Sequence, residues 1–173
     1  MGTLLHSLLI AALLGVTPCT PGGTQCPAYL RQDLATNWIR CSGGSADIAW
    51  PPNQGYAASP APAPKLVYEG AEIDRFGFEN GTFFSPAGAS FKARAVPYVC
   101  PQMEYRVYRV MKPMVVQSGI AAPWFNEPGG AIQYMAADSA ADLRKAGVLV
   151  MIKEYQPGGP APAPPCPWSC RCR

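Results

Sequence analysis

The sequence predicts an α+β domain: a largely antiparallel or mixed sheet with few helices, preceded by a disulfide-stapled lobe. Three observations carry that class. Strand-like apolar runs recur through the middle of the chain, one segment alone has both ends of a helix marked, and 20 Pro with 17 Gly cut the 173 residues into many turns. Such a length suits one ordinary domain rather than two.

The first expected element is a hairpin at "FENGTFF" (78–84), because Asn80-Gly81 between aromatics is a strong turn signal. "YRVYRVMK" (105–112) and "MVVQSG" (114–119) read as strands parted by Pro113, where a bulge or sheet edge is expected. Arg106 and Arg109 read as solvated positions on the first of these. "GAIQYMA" (130–136) is a further short strand. "SAADLRKAG" is the helix: Ser139 caps it, Asp142 follows in the first turn, Arg144 and Lys145 sit in the last, and Gly147 ends it. "VLVMIKEY" (148–155) closes the pattern as a strand. No internal repeat is present.

Two Pro-rich stretches, "SPAPAPK" (59–65) and "PGGPAPAPPCP" (157–167), read as extended spacers. They divide the chain into a Cys/Pro-rich lobe and linker (18–64), a compact segment (65–155) and a Pro/Cys-rich tail (156–173). Residues 1–17 contain an unbroken apolar run from Leu8 to Val16, too short to span a membrane, and read as a secretory signal; an apolar helix or retained anchor is the alternative. Seven cysteines agree with an oxidising compartment, secreted or at the cell surface, although their pairing is not readable. The Cys166, Cys170 and Cys172 group has zinc as its alternative reading, but no His is at hand to complete such a site.

Net charge is +3 and no basic block exceeds two residues, so a nucleic-acid partner is not expected. The sole histidine is His6, in the apolar leader. Beyond it, neither Ser-His nor Cys-His nucleophilic catalysis, nor a His-bound metal, can be assembled. Most carboxylates of the compact segment fall at turns or helix starts, and "EPGGAIQ" lacks the Lys and the strand-to-helix setting of a phosphate loop. Arg, aromatics, amides and backbone remain as the available chemistry.

Three blocks, "EIDRFGFENGTFFSPAGASFKARAVP", "YRVYRVMKPMVVQSGIAAPWFNEPGGAIQY" and "SAADLRKAGVL", together resemble the tuberculosis necrotizing toxin domain over residues 66–152. Leader, cysteines and Pro-rich spacing are similar to its fungal secreted branch. The resemblance implies an ADP-ribosyltransferase-like fold that hydrolyses NAD+, and in many members NADP+, to nicotinamide and an ADP-ribose product. It implies catalytic roles for Arg75 and Gln133. Phe76 and Phe83 would wall the nicotinamide, Arg94 would join Arg75 at the phosphates, and Ser85 would bond the substrate. Without the resemblance, Arg75 would read as a partner of Asp74 or Glu72, and Ser85 as a turn residue.

The residue chemistry is consistent with this reaction. Nicotinamide leaves a pyridinium glycoside as a neutral base, so no general acid is required, in contrast to an O-glycoside. Gln133 stands where transferase relatives keep a Glu, which favours hydrolysis over ADP-ribosyl transfer, the second reading; a non-catalytic cysteine-rich effector is the third. Glu127 is the competing carboxylate, and Trp124 reads as a packing anchor. Asn80 begins an N-glycosylation sequon. No cofactor is expected for the chemistry. Relatives can extend into a calcium-binding, dimer-forming region, but no acidic cluster follows Glu154, so calcium is not expected and a homodimer stays open.

Overall fold

A computed structural model describes residues 26–35, 37–42, 45–158 and 166. The expected signal segment, Cys19, Cys170 and Cys172 lie outside these residues. The strands are β1 (Ile39–Ser42), β2 (Ser45–Ile48), β3 (Ala63–Val67), β4 (Glu72–Phe76), β5 (Phe83–Pro86), β6 (Tyr105–Val110), β7 (Met114–Ile120), β8 (Ile132–Met135) and β9 (Leu149–Tyr155); the α-helix is α1 (Ala140–Lys145). β1 and β2 form a separate hairpin-like pair, while the other seven form one sheet in the order β3-β7-β8-β5-β4-β6-β9. Every strand pair is antiparallel, which gives the α+β class expected.

The main core lies on the face covered by α1. Ile73, Phe84, Tyr108, Val110, Val116 and Tyr134 meet Ala140 and Leu143 there. Alternation along the strands selects those residues, since successive side chains point to opposite faces. The helix begins as its sequence implies, with the Asp142 amide donating to Ser139 Oγ at 3.1 Å. Its far end is tied to the β4–β5 loop: Arg144 Nη1 donates to both Glu79 oxygens at 2.7 and 2.8 Å.

A second core joins the N-terminal lobe to the segment between β7 and β8. Cys26, Leu30, Leu34 and Ile39 pack against Phe125, with Trp38 and Trp124 at the margin. The Cys26–Cys41 disulfide staples this lobe. Trp124 anchors it as expected, edge-on to Trp38 with centroids 4.8 Å apart and donating its indole N–H to Ala49 O at 2.8 Å.

Four local expectations are corrected. The supposed spacer at 59–65 ends in a strand: β3 includes Ala63, Pro64 and Lys65 and pairs with β7. Pro64 is tolerated because β3 is an edge strand, with one side free of a ladder that would need its missing N–H. Pro113 marks neither bulge nor edge but a crossing, since β6 pairs with β4 and β9 whereas β7 pairs with β3 and β8; the register shift lies instead between Val107 and Tyr108. Arg106 is buried, not solvated, because its guanidinium is enclosed by acceptors: it donates to Gly77 O and is ion-paired with Glu104 and Glu154. Arg109 is the exposed one, 3.0 Å from Glu72. Finally, the tail is not merely a spacer: Cys166 is bonded to Cys100, so its sulfur is not a thiolate ligand for zinc.

Removing the Ser139 cap (Ser139→Ala) is expected to lower unfolding free energy by about 1 kcal/mol in a urea titration. The Glu79 carboxyl gives a pH test. Burial pushes its pKa up, but the Arg144 hydrogen bonds and charge, helped by Tyr108 and Arg106, leave it below the ordinary value. A lowered carboxylate pKa contributes stability above the unfolded value and loses it as pH falls through the folded one. Arg144→Ala should therefore destabilise near neutral pH by under about 1 kcal/mol, and the deficit should vanish below the carboxylate range.

Candidate active site

Along β4, Asp74 and Arg75 are neighbours in sequence and opposites in space. Asp74 is 0% exposed and fully engaged. Its Oδ1 accepts from Arg94 Nη2 at 2.6 Å, and its Oδ2 accepts from the Tyr105 hydroxyl at 2.9 Å and the Gly88 amide at 3.0 Å. Burial, then the Asp74 charge, push the Tyr105 phenol well above its ordinary pKa. Arg94 is held further by Ala89 O, which accepts from Nε at 3.3 Å and Nη2 at 2.9 Å, and its guanidinium lies 5.1 Å from the Phe76 ring centroid.

Arg75 has no such carboxylate. Its side chain is only 8% exposed, its Nη1 donates to Phe83 O at 3.0 Å, and its Nε is buried without a hydrogen-bond partner among the described residues. The pairing with Asp74 or Glu72 does not form, since Asp74 turns to Arg94 and Glu72 to Arg109. Burial draws the Arg75 pKa below the ordinary value, the phenols of Tyr108 and Tyr98 and the Glu79 charge opposing, Arg106 adding to the fall. The cation stays protonated at neutral pH, so an anion entering the cleft meets an under-compensated charge.

Gly81 explains how the guanidinium fits. A Cβ at this position would lie 2.1 Å from Arg75 Nη2, an impossible contact. Neither Asn80 nor Gly81 has positive φ, and a six-residue loop, 77–82, replaces the tight two-residue turn that the Asn-Gly pair predicts. Strands β4 and β5 do pair as a hairpin, but the glycine is there for side-chain space.

The cleft opens where β5 exchanges partners. β5 pairs with β4 through Ser85 and Pro86, and with β8 through Phe83 and Phe84. Around that exchange lies a cavity of about 470 Å³, within the range of small-molecule pockets. Arg75, Phe76, Phe83, Arg94 and Gln133 line it, and Ser85 lines an adjoining recess of about 70 Å³ shared with all five of them. All six residues singled out from the sequence therefore meet at one place. Ser85 sits buried within β5, not in a turn. Glu127 does not line the cleft; it is ion-paired with Arg31. No Asp, Glu or His is among the lining residues, and among the described residues no cluster of three or more metal-ligating side chains forms.

One part of the lining carries no functional motif in the sequence. Trp50, Pro51, Gln54 and Gly55 reach the cleft from the lobe, and Tyr98 from the chain before Cys100. Trp50 is 53% exposed, with its ring edge-on to Tyr98 and Phe125 at 6.3 and 5.7 Å between centroids. Burial, reinforced by Tyr29 and opposed by Arg75, raises the Tyr98 pKa. The signal in hand was "AWPPNQG", an aromatic followed by turn residues. There Asn53, Gln54 and Gly55 all take positive φ (54°, 54° and 83°), a conformation costing non-glycine residues on the order of 1 kcal/mol each. Gln133 is not a solvent-facing strand residue: its Nε2 donates to Gln54 O at 3.0 Å.

Fold and cleft together define a small antiparallel α+β protein with a basic, aromatic cleft whose lining holds no carboxylate. A family model described as tuberculosis necrotizing toxin matches residues 66–152, half of the chain, and the chain belongs to that family. It is similar to the conidial surface nicotinamide adenine dinucleotide glycohydrolase nadA of Aspergillus fumigatus, at 31% identity over 146 residues, covering 78% of this chain and 60% of that protein. The chain thus spans about three fifths of the curated relative's length. Among solved structures, tuberculosis necrotizing toxin in complex with its immunity factor aligns at 21% identity and a TM-score of 0.49, over 62% of this chain and 63% of that one. Tne2 in complex with Tni2 aligns at 16% identity and a TM-score of 0.45, over 65% and 99%.

Two substitutions test the site's construction. Gly81→Ala should displace the Arg75 guanidinium and lower stability by about 1–3 kcal/mol, as overpacking does. Asp74→Ala, which leaves Arg94 and Tyr105 without their shared acceptor, should cost more, about 3–5 kcal/mol. Urea unfolding of the two variants beside wild type reads both, and the reverse order would contradict the arrangement.

Proposed function

We propose that the protein is an NAD+ glycohydrolase, acting also on NADP+, that releases nicotinamide and the corresponding ADP-ribose product. The observation that carries the reading is the buried Arg75 cation without a carboxylate, set in a cleft with Phe76 and Phe83. Family membership and the likeness to a fungal NAD glycohydrolase support it.

The mechanism follows from the groups present. The bond between ribose C1 and the pyridinium nitrogen breaks with its electron pair going to nitrogen, so the departing base is neutral and needs no proton. A cleft without Asp, Glu or His among its lining residues is compatible with that requirement. Positive charge migrates to the ribose as an oxocarbenium-like state, water adds at C1, and its proton passes to solvent. Arg75 supplies a planar donor fork for the diphosphate, and Arg94, held by Asp74, a second cation. Phe76 and Phe83 wall the nicotinamide, Ser85 bonds the substrate from the recess, and the Gln133 amide orients the ribose hydroxyls without taking up a proton. Rate enhancement then comes from positioning and preorganised dipoles.

Location belongs to the same proposal. Two disulfides suit an oxidising compartment, and the relative is a conidial surface protein, in keeping with a secreted or surface-held enzyme. Among the described residues no helix is long and apolar enough to cross a membrane. Asn80 is exposed and available to an N-glycan, and a mass decrease after deglycosidase treatment of the secreted chain is expected.

Nicotinamide release from NAD+ and from NADP+, without acceptor or metal, tests the activity. Arg75→Ala should lower kcat/KM by roughly 10²–10³-fold, and Arg75→Lys should stay within about tenfold of that loss because the fork is gone. Gln133→Ala should lower kcat by about 10²-fold with a smaller change in KM. Wild-type protein that consumes neither dinucleotide would sink the proposal.

A further inference from the structure

The turn Asn53–Gly55 lies outside the matched family segment, yet it meets Gln133. It is also strongly constrained. Three consecutive residues are left-handed, the Gly55 amide donates to Pro52 O at 3.1 Å, and the Ala122 amide donates to Gly55 O at 2.8 Å. Next to it, Tyr56 is clamped: its hydroxyl donates to Gln117 O at 2.9 Å, and its ring lies so close to Gly119 that a Cβ there would come within 2.6 Å. Gly119 is the register partner of Gln133 across β7 and β8. Left-handed backbone at non-glycine residues persists where surroundings impose it, often beside functional groups.

A primary amide can present either its oxygen or its nitrogen to a neighbour, and the two orientations have nearly the same shape. The Gln54 carbonyl removes that freedom, because a carbonyl oxygen only accepts, and the Tyr56 hydroxyl, whose own proton goes to Gln117 O, accepts from the same amide; the atom facing the carbonyl must be Nε2. Oε1, which takes no hydrogen bond among the described residues, is then the acceptor left to the cleft. A ribose hydroxyl, as donor, fits it.

We propose that the Asn53–Gly55 turn is a positioning element, whose Gln54 carbonyl locks the Gln133 amide with Oε1 as acceptor for a substrate hydroxyl. The inference rests on the glycohydrolase reading for its substrate, but the locked amide can be observed without turnover. It also gives the N-terminal lobe a part in the chemistry, through a backbone group that a side-chain comparison would pass over.

Three measurements test it. Gln54→Pro forbids positive φ at residue 54 and should lower kcat by about 10–100-fold while changing KM by less than about threefold. Gln133→Glu sets a carboxylate oxygen against the Gln54 carbonyl, so two acceptors repel at neutral pH. When protonated, its O–H donates to the carbonyl and its C=O resumes the acceptor role. Its activity relative to wild type should rise by about tenfold or more as the pH falls through the carboxylate range. The titratable and charged groups beside it are Tyr98, Arg75 and Arg94 in the cleft lining and Tyr56, hydrogen-bonded to Gln133, so a new acidic limb belongs to the introduced carboxyl.

The third measurement is NMR of the wild-type Gln133 side-chain amide, where hydrogen exchange should be slowed, and should quicken by about tenfold or more in Gln54→Pro. Unslowed exchange in wild type, unchanged kcat in folded Gln54→Pro, or a flat activity ratio for Gln133→Glu would overturn the inference. Slowed exchange in a wild-type protein that releases no nicotinamide would refute the functional reading and uphold the locked amide.

Discussion

Two guanidinium groups share one cleft, only Arg94 is ion-paired with a carboxylate, and the pleat of β4 decides this by turning Asp74 away from Arg75. Asp74 points away from Arg75 and takes Arg94, Tyr105 and the Gly88 amide as its donors. A fully buried carboxylate needs that many partners, because burying an ion without them is costly. Arg75 is left to a backbone carbonyl and the Phe84 ring, 5.7 Å from its guanidinium carbon. Around this asymmetry the loop 77–82 arches with Gly81 at the contact, and Glu79 fastens the loop to α1 through Arg144. The cation is thus carried by the scaffold, at a cost in stability that an anion in the cleft would offset.

The exchange of partners by β5 is the second constraint. A strand that stayed on one neighbour for its whole length would close the sheet at this point. Because β5 has two ladder positions with β4 and two with β8, the groups at the margins of those strands turn toward a shared space. Phe76 and Phe83, Arg75 and Gln133 are the consequence. The lobe completes the cleft by reaching across the sheet, and its own packing on Phe125 and Trp124 determines where Trp50 and Gln54 arrive.

Much of this was legible along the chain. α1 was readable because capping is local: Ser139, Asp142 and the basic last turn act within one segment. The absence of histidine after residue 6 and the charge pattern narrow the chemistry independently of the fold. Arg75, Phe76, Phe83, Ser85, Arg94 and Gln133 are legible through the blocks that carry the family resemblance, and they line the same cleft and its recess. What was not legible was partnership. Pro64 in a strand, Arg106 in the interior and the Cys100–Cys166 bond all depend on what lies alongside, and no local signal states that.

Asn80-Gly81 shows the division most plainly. The sequence by itself determined that the chain reverses there, because the aromatic runs on either side must pair and this dipeptide accommodates a turn. Only the tertiary structure decided that Gly81 serves Arg75, since the reason is a contact with a side chain six residues upstream folded back across the loop. The same holds for Gln133. Its residue type was determined by the chain, with the chemistry an amide permits. Which of its two polar atoms is engaged was left to a carbonyl 79 positions away, brought into reach by the packing of the lobe.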